Sequence, residues 1–165
     1  MPQYGLQISL DGQQHLIRTF ETLGEAVKDF SPVWKAVIAG VKTDIEKRFD
    51  TQGADVGGWK PLKAEYTDWK SRKGFHRQIL MKTGLLKESL IKEGMGRGFN
   101  IERIEPVGFE FGTSVSYGFW HQKGTQRGLP QRRILVMWPA DFKKILSQMR
   151  RHVYKVTKVS AMPGR

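Results

Sequence analysis

The sequence predicts an α+β fold: a small antiparallel sheet with helices packed on it, two helices towards the amino terminus and one at the carboxy terminus. Three observations carry that prediction. Apolar residues recur at intervals of four and three over 16–49 and again over 142–156, the period of helices with one buried face. They alternate with period two around 4–10 and 107–119, the pattern of half-buried strands. Between these stretches lie Gly- and Pro-bearing punctuation points, with no repeat and no inter-domain linker.

In chain order, Tyr4, Leu6, Ile8 and Leu10 alternate and Asp11-Gly12 ends that strand with a turn signal. Leu16, Phe20, Leu23, Val27 and Phe30 form the stripe of a first helix. Ser31-Pro32 restarts the chain, with Ser31 expected as N-cap and Pro32 at the first helical position. The second helix then presents Trp34, Ile38, Val41, Ile45 and Phe49 on one face. Residues 53–61 read as a loop with Trp59 as its single large apolar anchor. Leu62, Tyr66 and Trp69 suggest a short helix, followed by a basic loop from Lys70 to Gly74.

Thr83 is expected to cap a further short helix carrying Leu86 and Leu90, and 94–98 reads as a flexible connector. Val107, Phe109 and Phe111, then Val115, Tyr117 and Phe119 across a turn at 112–114, predict a β-hairpin. Lys123 to Arg133 reads as a basic loop, and Ile134 to Trp138 as a strand closed by Pro139. Asp141 caps a last helix with Phe142, Ile145, Met149, Val153 and Val156 on one face, and the opposite side is basic. This gives one domain over 1–156 and a disordered basic tail over 157–165.

Composition narrows the function. The chain has 165 residues, a formal net charge of +12 and no cysteine. A disulfide scaffold, a thiolate zinc site and a cysteine nucleophile are therefore excluded. No uncharged stretch approaches the roughly 20 apolar residues of a membrane span, and no signal-peptide pattern opens the sequence, which predicts a protein made in a reducing compartment. The charge is concentrated: residues 126–165 hold ten basic residues against Asp141 alone, a local balance of +9. Such a face suits solubility, DNA or an acidic protein partner.

Catalytic constellations fail one by one. His15, His76, His121 and His152 are scattered, and none has metal-ligand spacing. After Gly58, Trp59 stands where a nucleotide-binding loop needs its lysine, and Gly94, Gly96 and Gly98 miss the dinucleotide-binding spacing. Asp141-Phe142-Lys143 is half of a nuclease signature, better explained by helix capping. His121, where the chain leaves the expected sheet, reads as a loop-stabilising residue, since no carboxylate lies nearby in sequence to orient its ring. The sequence predicts no enzyme and no cofactor.

Four segments in order resemble the phage virion morphogenesis family, the tail-completion proteins of tailed phages and prophages. They are Gly57-Gly58-Trp59-Lys60-Pro61-Leu62, the run Ile79 to Leu90 with Thr83-Gly84 at its centre, Tyr117 to Gly124 with His121-Gln122, and Pro130-Gln131-Arg132-Arg133-Ile134-Leu135. The likeness spans about 4–150. Two departures stand out: Arg133-Ile134 replaces the family's Pro-Phe pair, and the basic carboxy-terminal extension lies outside the family pattern.

The resemblance implies a structural protein of the virion, assembled in the bacterial host cytoplasm. It would form a ring, sixfold in many such proteins, and touch the tail tube or tail-end protein and the head–tail connector. A sixfold ring would carry roughly +72, six times the charge of one chain. Expected contact residues are His121, Gln122, Lys123, Arg127, Arg132 and Arg133 in and beside the basic loop. Lys143, Lys144, Arg150, Arg151 and Lys155 on the last helix join them, with Trp59 as an anchor at subunit borders. Non-sequence-specific DNA binding by the basic helix is the alternative, with no membrane partner in either reading.

Overall fold

The computed structural model describes residues 20–92, except 22 and 26, and residues 98–160. The expected strand over 4–10 and the connector over 94–97 lie outside the described residues. The architecture is α+β, with one two-stranded antiparallel sheet flanked by helices. The described residues between 20 and 28 are helical, with Phe20 and Val27 exposed rather than packed.

Helix α1 (Ser31–Asp50) is the spine of the molecule. It begins at Ser31, and the side chain that caps it belongs to Asp29, whose Oδ1 accepts the Ser31 N–H at 2.8 Å. The Ser31 hydroxyl first, and this N–H second, hold the Asp29 carboxyl below its ordinary pKa. The stripe on α1 serves two cores in turn. Val33, Trp34 and Val37 pack with Ile104 and Phe109 of the sheet and with Ile145 and Met149. Ile45 and Phe49 enter a second core with Trp59, Ile79, Leu86, Leu90, Val115 and Ile134.

After α1 a 3-10 turn (Ala54–Val56) leads to Trp59, whose ring meets Phe49 edge-on at 5.3 Å. Helix α2 (Ala64–Arg72) takes in the first residues of the expected basic loop, and Lys70 points inward. Helix α3 (Leu85–Ile91) buries Leu86, Ser89 and Leu90. Its N-cap is Gly84, while Thr83 Oγ1 accepts the Leu85 N–H from one residue further back, at 3.5 Å.

The hairpin exists, but it pairs β1 (Asn100–Glu105) with β2 (Gly108–Thr113), not the expected 107–111 with 115–119. Alternation missed β1 because Ile101 faces out, while Glu102 turns inward to meet Lys42 of α1 at 2.7 Å. The turn is docked on the start of α1: the Phe30 N–H donates to the Pro106 carbonyl at 2.8 Å, and Trp34 Nε1 to the same oxygen at 3.4 Å.

Residues expected as the second strand form helix α4 (Ser116–Lys123). Gly118 explains the change, because it lets α4 lie directly on α3: a Cβ there would stand 3.0 Å from Leu86 Cδ1. Residues 134–138, expected as a strand, run without a strand neighbour. Helix α5 (Pro139–Ser160) closes the described chain and continues beyond residue 156. Asp141 sits inside its first turn rather than at the cap, and its Oδ2 accepts the Trp138 N–H at 2.8 Å. That bond, ahead of the neighbouring Lys144, lowers the Asp141 pKa.

Two glycines test this packing. Gly53 has φ +80° and its absent Cβ would fall 2.5 Å from Trp59 Cδ1, against a ring that has no room to retreat. Gly53→Ala is expected to cost at least about 2 kcal/mol in urea unfolding, from backbone strain and overpacking together. Gly40 lies mid-helix in α1 with open space around it, so Gly40→Ala should stabilise by about 1 kcal/mol.

Candidate functional site

The segments singled out in the sequence converge on one short stretch of backbone, residues 131–135. This stretch belongs to no helix or sheet, bends at Leu135 and brings Ile134 into the second core. Backbone polar groups buried outside helix and sheet lack their usual partners, and unpaired groups there are costly. Here side chains from three other elements take those partners' place.

Trp59 Nε1 donates to the Arg133 carbonyl at 3.0 Å. Arg48 Nη1 of α1 donates to the Ile134 carbonyl at 2.6 Å. The Gln122 carboxamide of α4 works in both directions. Its Oε1 accepts the N–H groups of Ile134 and Leu135 at 2.7 and 3.0 Å, and its Nε2 donates to the Leu135 carbonyl at 2.7 Å. One amide thereby satisfies two backbone donors and one acceptor of the segment.

The same knot fixes its own members. Arg48 is buried, and its Nε and Nη2 reach Asp55 Oδ2 at 2.9 and 2.6 Å, so the charge has a counter-ion. The Arg132 N–H donates to the His121 carbonyl at 2.7 Å. The Arg132 side chain is 4% exposed and donates through Nε and Nη2 to the Lys60 carbonyl at 3.3 and 3.0 Å. His121 is half-buried, with Nδ1 3.4 Å from Arg132 Nη1. Burial first, and the Arg132 charge second, push its pKa below the ordinary histidine value of 6.5.

The expected contact residues thus divide. Trp59 is interior and Gln122 is committed to backbone hydrogen bonds, so these two hold the fold and are not presented to a partner; Arg132 is buried as well but lines a cleft. His121 stands between the knot and a cleft lined also by Lys70 and Tyr117. Lys123, Arg127 and Arg133 are exposed, as are Lys143, Lys144, Arg150, Arg151 and Lys155 on α5. Lys123 Nζ lies 5.2 Å from the Phe119 ring centroid, a cation–π contact.

Three features escaped the sequence. Arg48 and Lys70 read as ordinary surface cations, yet both are buried, Arg48 beside the buried Phe49 and Lys70 beside the half-buried Trp69. Tyr117 and Phe119, expected in a strand, lie on a helix instead, where Phe119 and its neighbour Trp120 are 55% and 53% exposed. Among the described residues, no group of three His, Asp or Glu is placed to hold a metal ion, and no helix is long and apolar enough to cross a membrane.

A domain whose motif residues bind one another, and whose charged and aromatic groups face outward, has the make-up of an assembly component. Comparison with known families gives the particular one. The phage virion morphogenesis family matches residues 11–154, and the chain belongs to that family. No curated protein and no solved structure matches it significantly. Membership places the protein in phage virion morphogenesis.

The knot and the titrating histidine each give a measurable outcome. Gln122→Ala removes three hydrogen bonds and orphans two N–H groups, so a loss of about 2–4 kcal/mol is expected in urea unfolding. Lys123→Ala, one residue on and exposed, should stay within about 0.5 kcal/mol of the parent. The folded His121 resists protonation more than the unfolded one, so the unfolded state binds more protons below about pH 6.5. Stability is therefore complete above that pH and falls as the pH drops through the folded pKa. The melting temperature should decline from pH 7.5 to 5.5, and His121→Gln should flatten that slope.

Proposed function

We propose that this chain is a tail-completion subunit: a non-enzymatic, ring-forming protein that caps the tail end and makes it competent to join the head. Its partners are the tail tube or tail-end protein on one side and the head–tail connector on the other, and it stays in the virion after assembly in the host cytoplasm. Family membership supports the general role. The observation that carries the specific one is the half-used apolar face of α5.

Helical residues advance about 100° each, so Phe142 and Leu146 fall beside Ile145 and Met149 on one arc of α5. Ile145 and Met149 pack on the first core against α1, whereas Phe142 and Leu146 remain 56% and 54% exposed. Large apolar side chains left bare in a row favour a protein interface. Around the helix from them run Lys143, Arg150, Arg151, Lys155 and Lys158, facing outward. A subunit that buries the apolar arc against a second copy would keep this basic face free for an acidic surface.

The outward basic face also supports a second reading, backbone-level DNA binding. Duplex affinity measured against salt separates the two. A slope equivalent to several phosphates, with binding kept at physiological salt, would favour DNA.

Deletion of the gene is expected to yield separate filled heads and tails by electron microscopy. Complementation with Phe142→Asp/Leu146→Asp, a double change on exposed residues, should fail although the protein folds. Normal infectious particles from the deletion would overturn the assignment.

A further inference from the structure

Beside the knot, between α2, the 79–83 segment and α4, lies a cleft of about 370 Å³. Its walls are apolar, with Leu62, Leu80 and Leu85, and its polar lining includes Lys70, Lys82, His121 and Arg132. No residue lining it is acidic. Lys70 is 2% exposed, and its Nζ rests on the carbonyls of Gln78 and Met81 at 2.8 and 3.4 Å. Arg132 rests on the Lys60 carbonyl. Among the described residues, no carboxylate comes within 4.0 Å of either cation.

That contrasts with Arg48, the other deeply buried cation, which holds Asp55. A buried charge without a counter-ion costs several kcal/mol, more than carbonyl dipoles alone restore. All three groups respond alike: burial pushes the pKa of Lys70, Arg132 and His121 down. One wall is also strained, since Leu80 adopts φ +61°, a conformation unfavourable for a leucine. Lys82, an exposed lining residue, has its Nζ 5.3 Å from the Trp69 ring and 5.0 Å from the Phe75 ring. Tyr66 and Tyr117 line the cleft too, both partly exposed.

We propose that this cleft receives a carboxylate side chain from a protein partner, carried on a short segment with apolar residues on either side. Lys70 and Arg132 supply the charge at its floor, Lys82 closes over the segment, and the leucines take the flanking apolar groups. Duplex DNA fits poorly, because its phosphates lie on a convex surface and these cations lie inside an apolar-walled recess. The proposal rests on the assembly reading for the identity of the partner, and on the cleft alone for its chemistry.

The test uses the full chain in solution and is independent of phage growth, so its failure and that of the morphogenesis reading are separable. Isotope-labelled protein is titrated with acetyl-Leu-Glu-Leu-amide, with its Gln counterpart, with inorganic phosphate and with a twelve-base-pair duplex. The Glu peptide should shift the signals of His121, Tyr117 and Leu62 saturably and raise the His121 pKa. The Gln peptide should bind at least about tenfold more weakly, the loss of one charge-assisted contact. Lys82→Glu, an exposed change that spares the fold, should weaken the Glu peptide several-fold, and Lys70→Met should abolish its effect. Equal binding of the Gln peptide would overturn the proposal. So would tighter binding of phosphate or DNA at these residues, or no shift there with any probe.

Discussion

The fold depends on how residues 132–135 satisfy their backbone. They enter a core outside any helix or sheet, in a chain whose only described sheet has two strands. An unpaired buried amide or carbonyl costs on the order of 1–3 kcal/mol, and this stretch carries several. The indole of Trp59, the guanidinium of Arg48 and the carboxamide of Gln122 answer them. Each comes from a different element, so meeting the requirement of one segment also fixes α1, the loop after it and α4 relative to each other. The reciprocal bonds from Arg132 to the carbonyls of His121 and Lys60 close the knot.

This arrangement sorts the charge. Seen along the chain, ten basic residues follow position 126. In space, Arg132 is removed from that set, since its side chain is consumed inside. Lys70, far earlier in the chain, is buried within the same neighbourhood and adds an interior charge that the regional count does not reveal. The described cations that remain are exposed on α5 and on the loop before it. Interior and exterior cations do different work: the first are fixed, desolvated and selective, and the second are solvated, screened by salt and tolerant of the partner's shape.

Helices α1, α3 and α5 were legible because their stripes keep one period over many residues, and Leu86 and Leu90 alone mark the buried side of a seven-residue helix. Elsewhere, tertiary demands overrode the local pattern. In β1, Ile101 faces out and Glu102 turns inward to Lys42, so the strand shows no apolar alternation to read. Tyr117 and Phe119 alternate as in a strand, yet Gly118 between them has a use only if two helices touch there. Ile134 to Trp138 is apolar enough for a strand but forms none: the chain bends at Leu135, and a glutamine side chain meets the backbone groups a neighbouring strand would. Of the motif residues, order and spacing identified the family, while only the fold could separate those facing inward from those facing out.

For the proposed ring, that division has a physical consequence. Helix α5 leans on α1 by one edge of its apolar arc, and covering the exposed half of Phe142 and Leu146 would contribute about 1–1.5 kcal/mol each. That is modest against the translational and rotational cost of association, so a pair of isolated chains gains little. In a closed ring every subunit makes this contact twice, once through each of two faces, and the last contact forms without a further loss of free motion. Repulsion between basic faces opposes closure in free solution and falls away on an acidic tail surface. Docking of a carboxylate in the neighbouring cleft would add to that bias. Assembly that is weak in solution and cooperative on the tail is therefore the behaviour expected from this distribution of apolar and basic side chains.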